Sequence, residues 1–326
     1  MTGTASKAPV IRIRPTLSVI MPVHEGAEWI GATLNSLADE TVDALEVIIL
    51  DSSPTPETAE IVTRYTDRLP IRLMHRPDFV TWQSKTNLGV EAATAEYACM
   101  LHQDDLWLPG RMDAVGRWIG GDPQADLHLA PTAVIDRKGR RLGTWNCPLP
   151  CEQLLEPAFL LERLIVQNFI SVPAPVFRRS AWLATKGLDT ALWYTADWDL
   201  WLKLASAGRT IYHRDLTTAF RVHGSSLTVR GSRDSEDFRS QMEMVLSRHV
   251  GGLPATLRDR AERAAKASIR MNVSLASASN GNLSQLASAV GQVLGLGPSG
   301  IRRYLRDSRL AERVGSRLRA KLAGAF

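Results

Sequence analysis

Two adjacent acidic residues, Asp104 and Asp105, follow a short apolar run at 97–101. Such a run, bounded by polar residues, is typical of a buried strand, and a strand end holds side chains on a rigid element. Carboxylate oxygens are hard ligands that suit Mg²⁺ or Mn²⁺, ions that commonly link a few carboxylates to a diphosphate. The alternative is a solvated turn in which an aspartate caps the next helix. The pattern therefore indicates either a divalent cation site or a capped turn.

A second acidic pair, Asp197 and Asp199, lies within a predicted helix at 194–207. Two residues apart in a helix, these side chains point roughly 200° away from each other, so they do not face the same site. A partly buried aspartate beside an acceptor hydroxyl can serve as a general base. Two acids near a helix start can also simply complement the helix dipole. Both interpretations remain open at this point.

A cation and an imidazole, Arg221 and His223, alternate along a predicted extended segment and so face the same side. Together they would hold a diphosphate or complete a metal shell, whereas an isolated surface pair is the plain alternative. Three tryptophans flank the motifs and would either stack on a sugar or a base or pack in the core: Trp82, Trp107 and Trp198.

Short apolar runs alternate with helical patterns over the first hundred residues. The predicted strands are 17–23, 45–50, 71–74 and 97–101, and the predicted helices are 29–37, 57–65 and 84–94. This order predicts a parallel sheet with crossover helices. Ligands bind beyond the carboxyl ends of strands in such sheets. We therefore expect His24-Glu25, Asp51-Ser52 and the Asp104 pair to form one site.

The pattern becomes less regular after Arg111, which predicts further elements added to the same sheet. They are a strand at 127–135, a turn at Lys138-Gly139, a helix at 152–166, a segment at 173–177, the helix at 194–207 and a segment at 210–213. From Ser235 onward the sequence predicts almost only helix, at 238–250, 256–278, 283–294 and 301–322.

The composition excludes several classes of protein. Hydrophobic residues make up 44% and charged residues 22% of the 326 residues, as in ordinary globular proteins and unlike disordered or fibrous chains. No apolar run reaches the roughly 18 residues of a spanning helix, and residues 1–14 contain no apolar signal-peptide core. Three cysteines are too few for a full disulfide framework and suggest a reducing compartment. We therefore expect a cytoplasmic protein.

Positive charge is concentrated in the basic tail, residues 300–326, where eight basic side chains accompany two acidic ones. The whole chain carries a net charge of +5. The remainder is therefore about neutral, and we expect no nucleic acid as a partner.

The apolar residues of the basic tail fall mostly on one helical face: Ile301, Tyr304, Leu305, Leu310, Val314, Leu318 and Leu322. Such a helix can lie at an anionic membrane surface, which would bring the protein to the inner face of the membrane. The alternative is a helix packed on the preceding helices or on a second subunit of a homo-oligomer.

Seven segments, in order and at sensible spacing, together resemble the family 2 glycosyltransferases of the GT-A fold. The best match is EYACMLHQDDLWLPGRM at 96–112, which is similar to the strand bearing the Asp-x-Asp motif with its Asp-Asp-x-Trp-x-Pro continuation. The others are SVIMPVHEG at 18–26, EVIILDSSPTPETAEIV at 46–62, WQSKTNLG at 82–89, SVPAPVFRRSAW at 171–182, ADWDLWLKLASAG at 196–208 and FRVHGSSLT at 220–228. The resemblance runs from Leu17 to Thr228, about two thirds of the chain.

The resemblance implies an α/β, GT-A-like fold with a mixed, mostly parallel sheet and helices on both faces, followed by an all-helical C-terminal region. The corresponding division is an N-terminal tail at 1–16, a catalytic domain at 17–231 and a helical region at 232–326. The implied activity is inverting transfer of a sugar from a uridine or thymidine diphosphate donor, with Mg²⁺ or Mn²⁺ as cofactor. The implied acceptor is a hydroxyl of a glycan or a lipid-linked molecule, in polysaccharide, glycolipid or glycoprotein assembly.

The matched positions imply a role for each site residue. Asp197 falls on the catalytic base, and the acceptor-side or helper residues are Asp105, Trp107, Trp198 and Asp199. The implied metal ligands are Asp104, His102 and His223. The implied nucleotide-binding residues are Pro22, His24, Glu25, Asp51, Ser52, Lys85, Asn87, Gln103 and Arg221.

Three positions depart from the family pattern. His102 replaces the first acid of Asp-x-Asp, Ser52 replaces the second acid after the second strand, and Ala196 replaces the acid before the base. Imidazole ligates transition metals but is a poorer partner for Mg²⁺ than carboxylate. Because two of these changes remove negative charge from the reaction centre, the alternative is a weakened relative that binds a sugar nucleotide or glycan. A dehydrogenase is disfavoured, since no G-x-G-x-x-G turn follows the first strand.

Overall fold

The first part of the chain forms a parallel sheet with helices on both faces. The computed structural model describes residues 15–224, 235–279 and 281–322. The first four strands are β1 (Leu17–Val23), β2 (Leu45–Asp51), β3 (Ile71–His75) and β4 (Tyr97–Met100). They are parallel, in the order β3-β2-β1-β4, and are connected by α1 (Ile30–Ala38), α2 (Glu57–Thr63) and α3 (Trp82–Ala92). The predicted strand–helix alternation is therefore confirmed.

Helix α3 lies unusually close to the sheet at Gly89. A Cβ atom there would come within 2.5 Å of the Ile20 side chain and 2.8 Å of the Leu50 side chain. The hydroxyl of Thr81 caps the start of this helix by accepting from the backbone N–H of Ser84. This close packing brings Lys85, one turn before Gly89, over the carboxyl ends of β1 and β2.

The middle of the chain completes this sheet and builds a second one. Its strands are β5 (Leu106–Trp107), β6 (Leu127–Leu129), β7 (Thr132–Ile135), β8 (Arg141–Trp145), β9 (Leu154–Leu155), β10 (Val176–Arg178), β11 (Thr210–Tyr212) and β12 (Thr218–Arg221). Its helices are α4 (Arg111–Gly121), α5 (Pro157–Leu164), α6 (Arg179–Ala184) and α7 (Ala196–Ala207). The large sheet has the order β3-β2-β1-β4-β10-β6-β11-β9, and the small sheet has the order β5-β12-β7-β8.

Two expectations for this part were wrong in detail. The single strand predicted at 127–135 is two strands, β6 and β7, which belong to different sheets. Pro131 lies between them, and a proline has no N–H with which to continue a ladder. The helix predicted from residue 152 begins only at Pro157, because Leu154 and Leu155 pair with β11 as the edge strand β9.

The C-terminal region is helical, as predicted. It contains α8 (Ser235–His249), a 3₁₀ turn (Val250–Gly252), α9 (Ala255–Ser279), α10 (Leu286–Leu294), α11 (Gly297–Ser308) and α12 (Leu310–Leu322). The single helix predicted at 301–322 is broken at Arg309, whose φ of 49° lies in the left-handed region. The division proposed at 231–232 and the end of the resemblance at Thr228 lie outside the described residues.

The apolar core is continuous between the sheet and the C-terminal helices. One cluster of buried side chains contains Ile20 of β1, Val245 of α8, Ala265 of α9 and Tyr304 of α11, while a second cluster fills the other face of the sheet. Arg163 of α5 also pairs with Asp307 of α11 at 2.8 Å, with both side chains largely buried.

Part of the apolar stripe of the basic tail is packed inside the molecule. Tyr304 is 1% exposed, and Ile301 and Leu310 pack against the larger core cluster, whereas Leu305 and Val314 are 52% and 41% exposed. The packed alternative therefore holds for Ile301, Tyr304 and Leu310. Among the helices that the structure describes, none combines the length and the apolar character that a membrane crossing requires.

Candidate active site

Lys85 joins the carboxyl ends of the first two strands. Its Nζ donates hydrogen bonds to the carbonyl oxygen of Val23, 2.6 Å away, and to the Oγ of Ser52, 2.8 Å away. Burial lowers the pKa of Lys85 to about 8, although the nearby Asp51 carboxylate opposes this shift. Pro22 lies buried within β1, just before this contact. The result is a largely buried cationic group between the first two loops of the sheet edge.

Asp51, the last residue of β2, has one oxygen engaged and one without a partner. Its Oδ1 accepts from the backbone N–H and the hydroxyl of Ser53, at 2.8 Å and 2.5 Å. Its Oδ2 is buried and has no hydrogen-bond partner among the described residues. Because leaving a buried carboxylate oxygen unpaired is costly, this atom marks a position where an N–H donor of a ligand fits.

The loops that follow β1 and β4 are tied together by His24 and Gln103. The backbone N–H of His24 donates to Gln103 Oε1 at 2.8 Å, and Gln103 Nε2 donates to the carbonyl oxygen of His24 at 3.0 Å. The Nδ1 atom of His24 also lies 3.1 Å from the carbonyl oxygen of Ser52. Glu25 follows with a φ of 49° and an exposed side chain. The three loops therefore lie together at one edge of the sheet.

Three potential metal ligands converge in the loop after β4. One ligand atom each from His102, Asp104 and Asp105 lies within 4.8 Å of the others. His102 Nε2 and Asp105 Oδ2 are buried without a hydrogen-bond partner among the described residues. Asp104 Oδ2 lies 2.8 Å from Nε2 of His223. Two carboxylates and an imidazole with unpaired atoms form a donor set that fits a divalent cation.

The titration of these groups is consistent with such a site. Burial raises the pKa of Asp105 well above its usual range, and the neighbouring Asp104 charge adds to this shift. Burial acts the same way on Asp104, but the hydrogen bond with His223 and the charge of His102 outweigh it and lower its pKa. Burial lowers the pKa of His102, which favours the neutral imidazole that binds metals. A cation near these groups would stabilise the ionised form of both carboxyl groups.

Arg221 supports the acidic loop from behind. Its guanidinium donates to the carbonyl oxygens of Asp104, Asp136 and Arg137 at 2.8, 3.1 and 3.2 Å. Its backbone N–H donates to Asp105 Oδ1 at 3.0 Å. Since the side chain is 4% exposed, it positions this loop, which differs from the direct diphosphate contact expected from the sequence.

The sequence analysis missed Trp29, which it treated as the first apolar residue of α1. The Trp29 ring lies 5.1 Å from the ring of His223 and 4.9 Å from the guanidinium carbon of Arg221. These contacts connect α1 to the late segment at 220–223. The sequence indicated this role only through position, because Trp29 follows the loop at 24–26 by three residues and so borders the predicted site.

Asp197 lies at the start of α7. Its Oδ2 accepts a hydrogen bond from Asn168 Nδ2 at 2.8 Å. Burial raises the pKa of Asp197 to about 6, while the backbone N–H of Trp198 and the Asn168 amide oppose the shift. A carboxyl group with this pKa is ionised at neutral pH and still accepts a proton readily.

A cavity of about 130 Å³ adjoins Asp197. Its lining includes Trp198, whose Nε1 donates to the carbonyl oxygen of Leu164, and the stacked rings of Trp145 and Phe220, 5.5 Å apart. Phe220 faces this cavity, whereas the next residue of β12, Arg221, contacts the acidic loop. Consecutive residues of a strand point to opposite sides, so β12 contributes Phe220 to the cavity and Arg221 to the support of the acidic loop.

Three residues expected at the site have other contacts. Asp199 is completely buried and pairs with Lys203 at 2.6 Å and His249 at 2.8 Å, so it anchors α8 rather than facing an acceptor. Both amide atoms of Asn87 bind the backbone of Leu188, which fixes the orientation of this side chain toward the segment before α7. Trp107 is 3% exposed within the second core cluster and offers no face for stacking.

The sequence is similar to several known glycosyltransferases. Residues 18–141 match the family described as Glycosyl transferase family 2. An uncharacterized glycosyltransferase of Rickettsia prowazekii is 22% identical over 231 residues, which are 69% of this chain and 69% of that protein. The chondroitin synthase of Escherichia coli is 24% identical over 226 residues, which cover 66% of this chain but only 30% of the synthase.

Solved structures share the fold. Staphylococcus aureus TarS 1–349 in complex with UDP-GlcNAc has a TM-score of 0.65 and 16% identity, over 94% of this chain and 90% of that one. The mannosyltransferase PcManGT from Pyrobaculum calidifontis, in complex with GDP-Man and Mn²⁺, has a TM-score of 0.56 and 18% identity, over 96% and 89% of the two chains. At this level of identity, the similarity establishes the GT-A architecture.

Proposed function

We propose that this chain moves a sugar from a nucleotide-diphosphate donor to an acceptor hydroxyl with inversion, which its match to glycosyltransferase family 2 over residues 18–141 supports. The observation that carries the proposal is the pair of features to which β12 contributes a residue each. One is an acidic cluster with unpaired ligand atoms, and the other is a cavity beside a half-buried aspartate. Together they supply a place for a diphosphate and a base for an acceptor.

The donor half of the site consists of Asp51, Lys85 and the loop at His24. The unpaired Oδ2 of Asp51 would accept an N–H of the base, which suits a uridine or thymidine diphosphate sugar. Solved structures of this fold are complexes with UDP-GlcNAc, UDP or GDP-Man, which supports a nucleotide-sugar donor. Lys85, held between the first two loops, contributes positive charge to this half of the site.

The residues that would hold a divalent cation are Asp104, Asp105 and His102, with His223 adjacent to Asp104. When bound, such a cation offsets the charge that the diphosphate gains as the glycosidic bond breaks. An imidazole in place of a third carboxylate favours Mn²⁺ over Mg²⁺.

Asp197 is the proposed general base. Its carboxylate takes the proton of the acceptor hydroxyl while that oxygen bonds to the anomeric carbon. The bond from this carbon to the diphosphate breaks at the same time, and the diphosphate leaves with the electron pair. Attack from the face opposite the leaving group gives inversion. The cavity beside Asp197 is the proposed place for the acceptor.

The experiment that tests this function is a thermal-shift screen of UDP, dTDP and GDP, each with Mn²⁺ and with a chelator. We expect one nucleotide to raise the melting temperature in a Mn²⁺-dependent way, because binding to the folded state stabilises it by mass action. Absence of any shift with all three nucleotides, in the presence of Mn²⁺, would contradict the donor assignment.

Contact with a membrane is proposed through exposed leucines of the helical region, one of which, Leu305, belongs to the apolar stripe of the basic tail. Leu283, Leu294 and Leu305 are 65, 62 and 52% exposed. Arg302 and Arg303 follow on α11, the first exposed and the second partly so. Exposed leucines beside arginines fit the headgroup region of an anionic bilayer. This would place the protein at the cytoplasmic face, close to a lipid-linked or glycan acceptor.

Flotation with phosphatidylglycerol vesicles tests this contact. We expect co-flotation at low salt, release at high salt and at least a severalfold loss in the double variant L294S/L305S. Truncation of the tail is unsuitable, because it would remove the buried Tyr304. If the double variant floats normally, lipid is not the partner of this face. If that variant instead changes the mass measured by light scattering, the face contacts a second subunit.

A further inference from the structure

A chain of side-chain hydrogen bonds connects the C-terminal helices to Asp197. Arg313 of α12 donates to Asn272 Oδ1 on α9 at 2.6 Å, and Asn272 Nδ2 donates to Gln167 Oε1 at 2.8 Å. Gln167 Nε2 donates to the carbonyl oxygen of Asn168 at 3.3 Å, and Asn168 Nδ2 donates to Asp197 Oδ2 at 2.8 Å. The chain therefore joins residues that are far apart in the sequence.

The direction of every donor in this chain is fixed by chemistry. An arginine side chain can only donate, so Asn272 must present its oxygen to Arg313 and its NH₂ group to Gln167. Gln167 must then present its oxygen to Asn272, which leaves its NH₂ group for the Asn168 carbonyl. At Asn168, the backbone N–H of Ile170 requires the side-chain oxygen at 3.1 Å, which leaves the NH₂ group for Asp197.

The chain also forms a wall of the cavity beside Asp197. Gln167, Asn168, Asn272 and Arg313 all line this cavity together with Asp197. The other ionisable side chain in the lining is Tyr194. Ser268 of α9 adds a second donor to Gln167 Oε1 at 3.2 Å, which holds that amide from two positions on one helix. The wall is therefore supported by helices outside the sheet.

Helix α12 is itself held against the small sheet. Arg319 donates to the carbonyl oxygen of Leu142 on β8 at 2.5 Å, and Arg313 donates to the carbonyl oxygen of Ser308 at 3.2 Å. β8 also carries Trp145, which lines the same cavity. Movement of α12 would thus disturb the hydrogen-bond chain and the support of β8 together.

We infer that Asn168 is a positioning residue for Asp197 and that Asn272 and Arg313 make the C-terminal helices a working part of the acceptor side. This inference rests on the proposed function for the role of Asp197 as a base. In this arrangement the Asn168 amide fixes one carboxylate oxygen of Asp197, and the backbone N–H of Ile170 orients that amide. The remaining members of the chain hold the backbone of Asn168 in place, through the bond from Gln167 to its carbonyl oxygen. Such support of a catalytic group by neighbouring hydrogen bonds is needed for correct geometry.

The test is a titration of Asp197 in the full-length chain, followed by carbon NMR of ¹³C-carboxyl aspartate. The resonance is assigned by its absence in D197N. We expect a wild-type midpoint near the pKa of about 6 and an upward shift of about one pH unit in N168A, because a hydrogen bond to the charged form is lost. R313Q should shift the midpoint in the same direction by a few tenths of a unit, and R313K should restore most of it.

A matched control is R263Q, which removes an arginine from an exposed position of α9 and should leave the midpoint unchanged. Kinetics give a second readout: N168A should lower kcat about tenfold, with the donor KM unchanged. The inference is overturned if the Asp197 midpoint moves by no more than about 0.2 pH unit in both folded N168A and folded R313Q. A shift of that size is about the error of such a titration and well below the shift expected for one lost hydrogen bond.

Failure of the proposed function would look different. In that case D197N would keep its turnover while the Asp197 resonance still responded to N168A. If N168A does not fold, R313Q and R313K still test whether α12 is coupled to Asp197. Arg313 is only partly buried, so these two variants are expected to fold.

Discussion

Two parts of the proposed site differ in how the chain assembles them. The donor edge is the proposed donor site at the carboxyl ends of the first strands, and the acceptor cavity is the proposed acceptor site beside Asp197. The donor edge takes its residues from consecutive strand–helix units, ending in Asp51, Lys85 and the Asp104 loop. The acceptor cavity takes its residues from the small sheet, α7, α9 and α12, including Trp145, Asp197 and Arg313. The first arrangement follows from a repeated local unit, whereas the second depends on how distant elements pack. This difference predicts that mutations on the two sides will affect different steps.

Asp197→Asn should have the largest effect on turnover. The amide keeps the size of the side chain but cannot take a proton, so we expect at least roughly a hundredfold loss of transfer. Donor binding, measured by thermal shift, should be nearly unchanged, since the side chain of Asp197 is engaged by Asn168 and not by the acidic cluster. Wild-type turnover in this variant would show that Asp197 is not the base. Weakened donor binding in this variant would show that the two sides of the site do not act independently.

Asp199→Ala should act on stability. Asp199 is completely buried and its removal leaves Lys203 and His249 without their shared carboxylate. We expect the free energy of unfolding to fall by about 2 kcal/mol, less than for a fully buried pair because Lys203 is partly exposed. Chemical denaturation measures this loss, and kcat per folded molecule should persist. A fall in kcat without a fall in stability would show that Asp199 acts on the acceptor.

Asp197→Asn supplies the opposite stability control, two residues away on the same helix. Burial raises the pKa of Asp197 above its ordinary value. The folded state therefore loses stability as pH rises from that value through about 6, and the neutral amide avoids this loss. The variant should be at least as stable as the wild type at pH 7.

Asp104→Ala should weaken metal and donor binding together. The cluster would lose one of its two carboxylates, so we expect at least roughly a tenfold loss of donor affinity in Mn²⁺. Asp113→Ala removes an exposed acid from α4 and serves as the matched control. Equal donor affinity of the wild type in Mn²⁺ and in chelator would show that no metal is needed.

His102→Asp sharpens the same point. If His102 is a ligand, a third carboxylate should shift the preference of the enzyme from Mn²⁺ toward Mg²⁺. An unchanged ratio of activities with the two ions would remove His102 from the proposed metal shell.

The pH dependence should show the smallest change over the accessible range. Because the base must be ionised, kcat should fall about tenfold per unit below the Asp197 pKa of about 6 and level off above it. Donor affinity measured at each pH separates this effect from loss of binding. The range from about pH 5 to about pH 7 covers roughly one unit on either side of this pKa. A kcat that does not change over this range would argue against Asp197 as the titrating group.

The parallel sheet and its loop edge were predictable because each strand is a short apolar run that ends in polar residues. The gathering of His24, Asp51 and Asp104 follows from that pattern alone. The resemblance supplied Asp197, which periodicity could not distinguish from Asp199. Their different contacts were decided by α8 and the segment at 167–171, which no local pattern connects to α7.

Residues whose role depends on packing were missed or misplaced. Asn272 and Arg313 lie in helices whose patterns predict only amphipathic surfaces, so nothing local indicated a connection to Asp197. Asn87 and Trp107 lie within matched motifs, but the backbone of Leu188 and the second core cluster engage them. The break at Arg309 depends on a left-handed residue that is not a glycine, for which the sequence gives no signal.

The central claim is that this chain, which matches glycosyltransferase family 2 over residues 18–141, still transfers sugar despite His102 and Ala196. The most direct measurement is release of the nucleoside diphosphate from a panel of nucleotide sugars, with Mn²⁺ and with water as the acceptor. The account predicts slow Mn²⁺-dependent hydrolysis of one donor, and its loss in Asp197→Asn. Tight, Mn²⁺-dependent binding of a nucleotide sugar without any hydrolysis would contradict it, and would instead identify a binding subunit that has lost the chemistry.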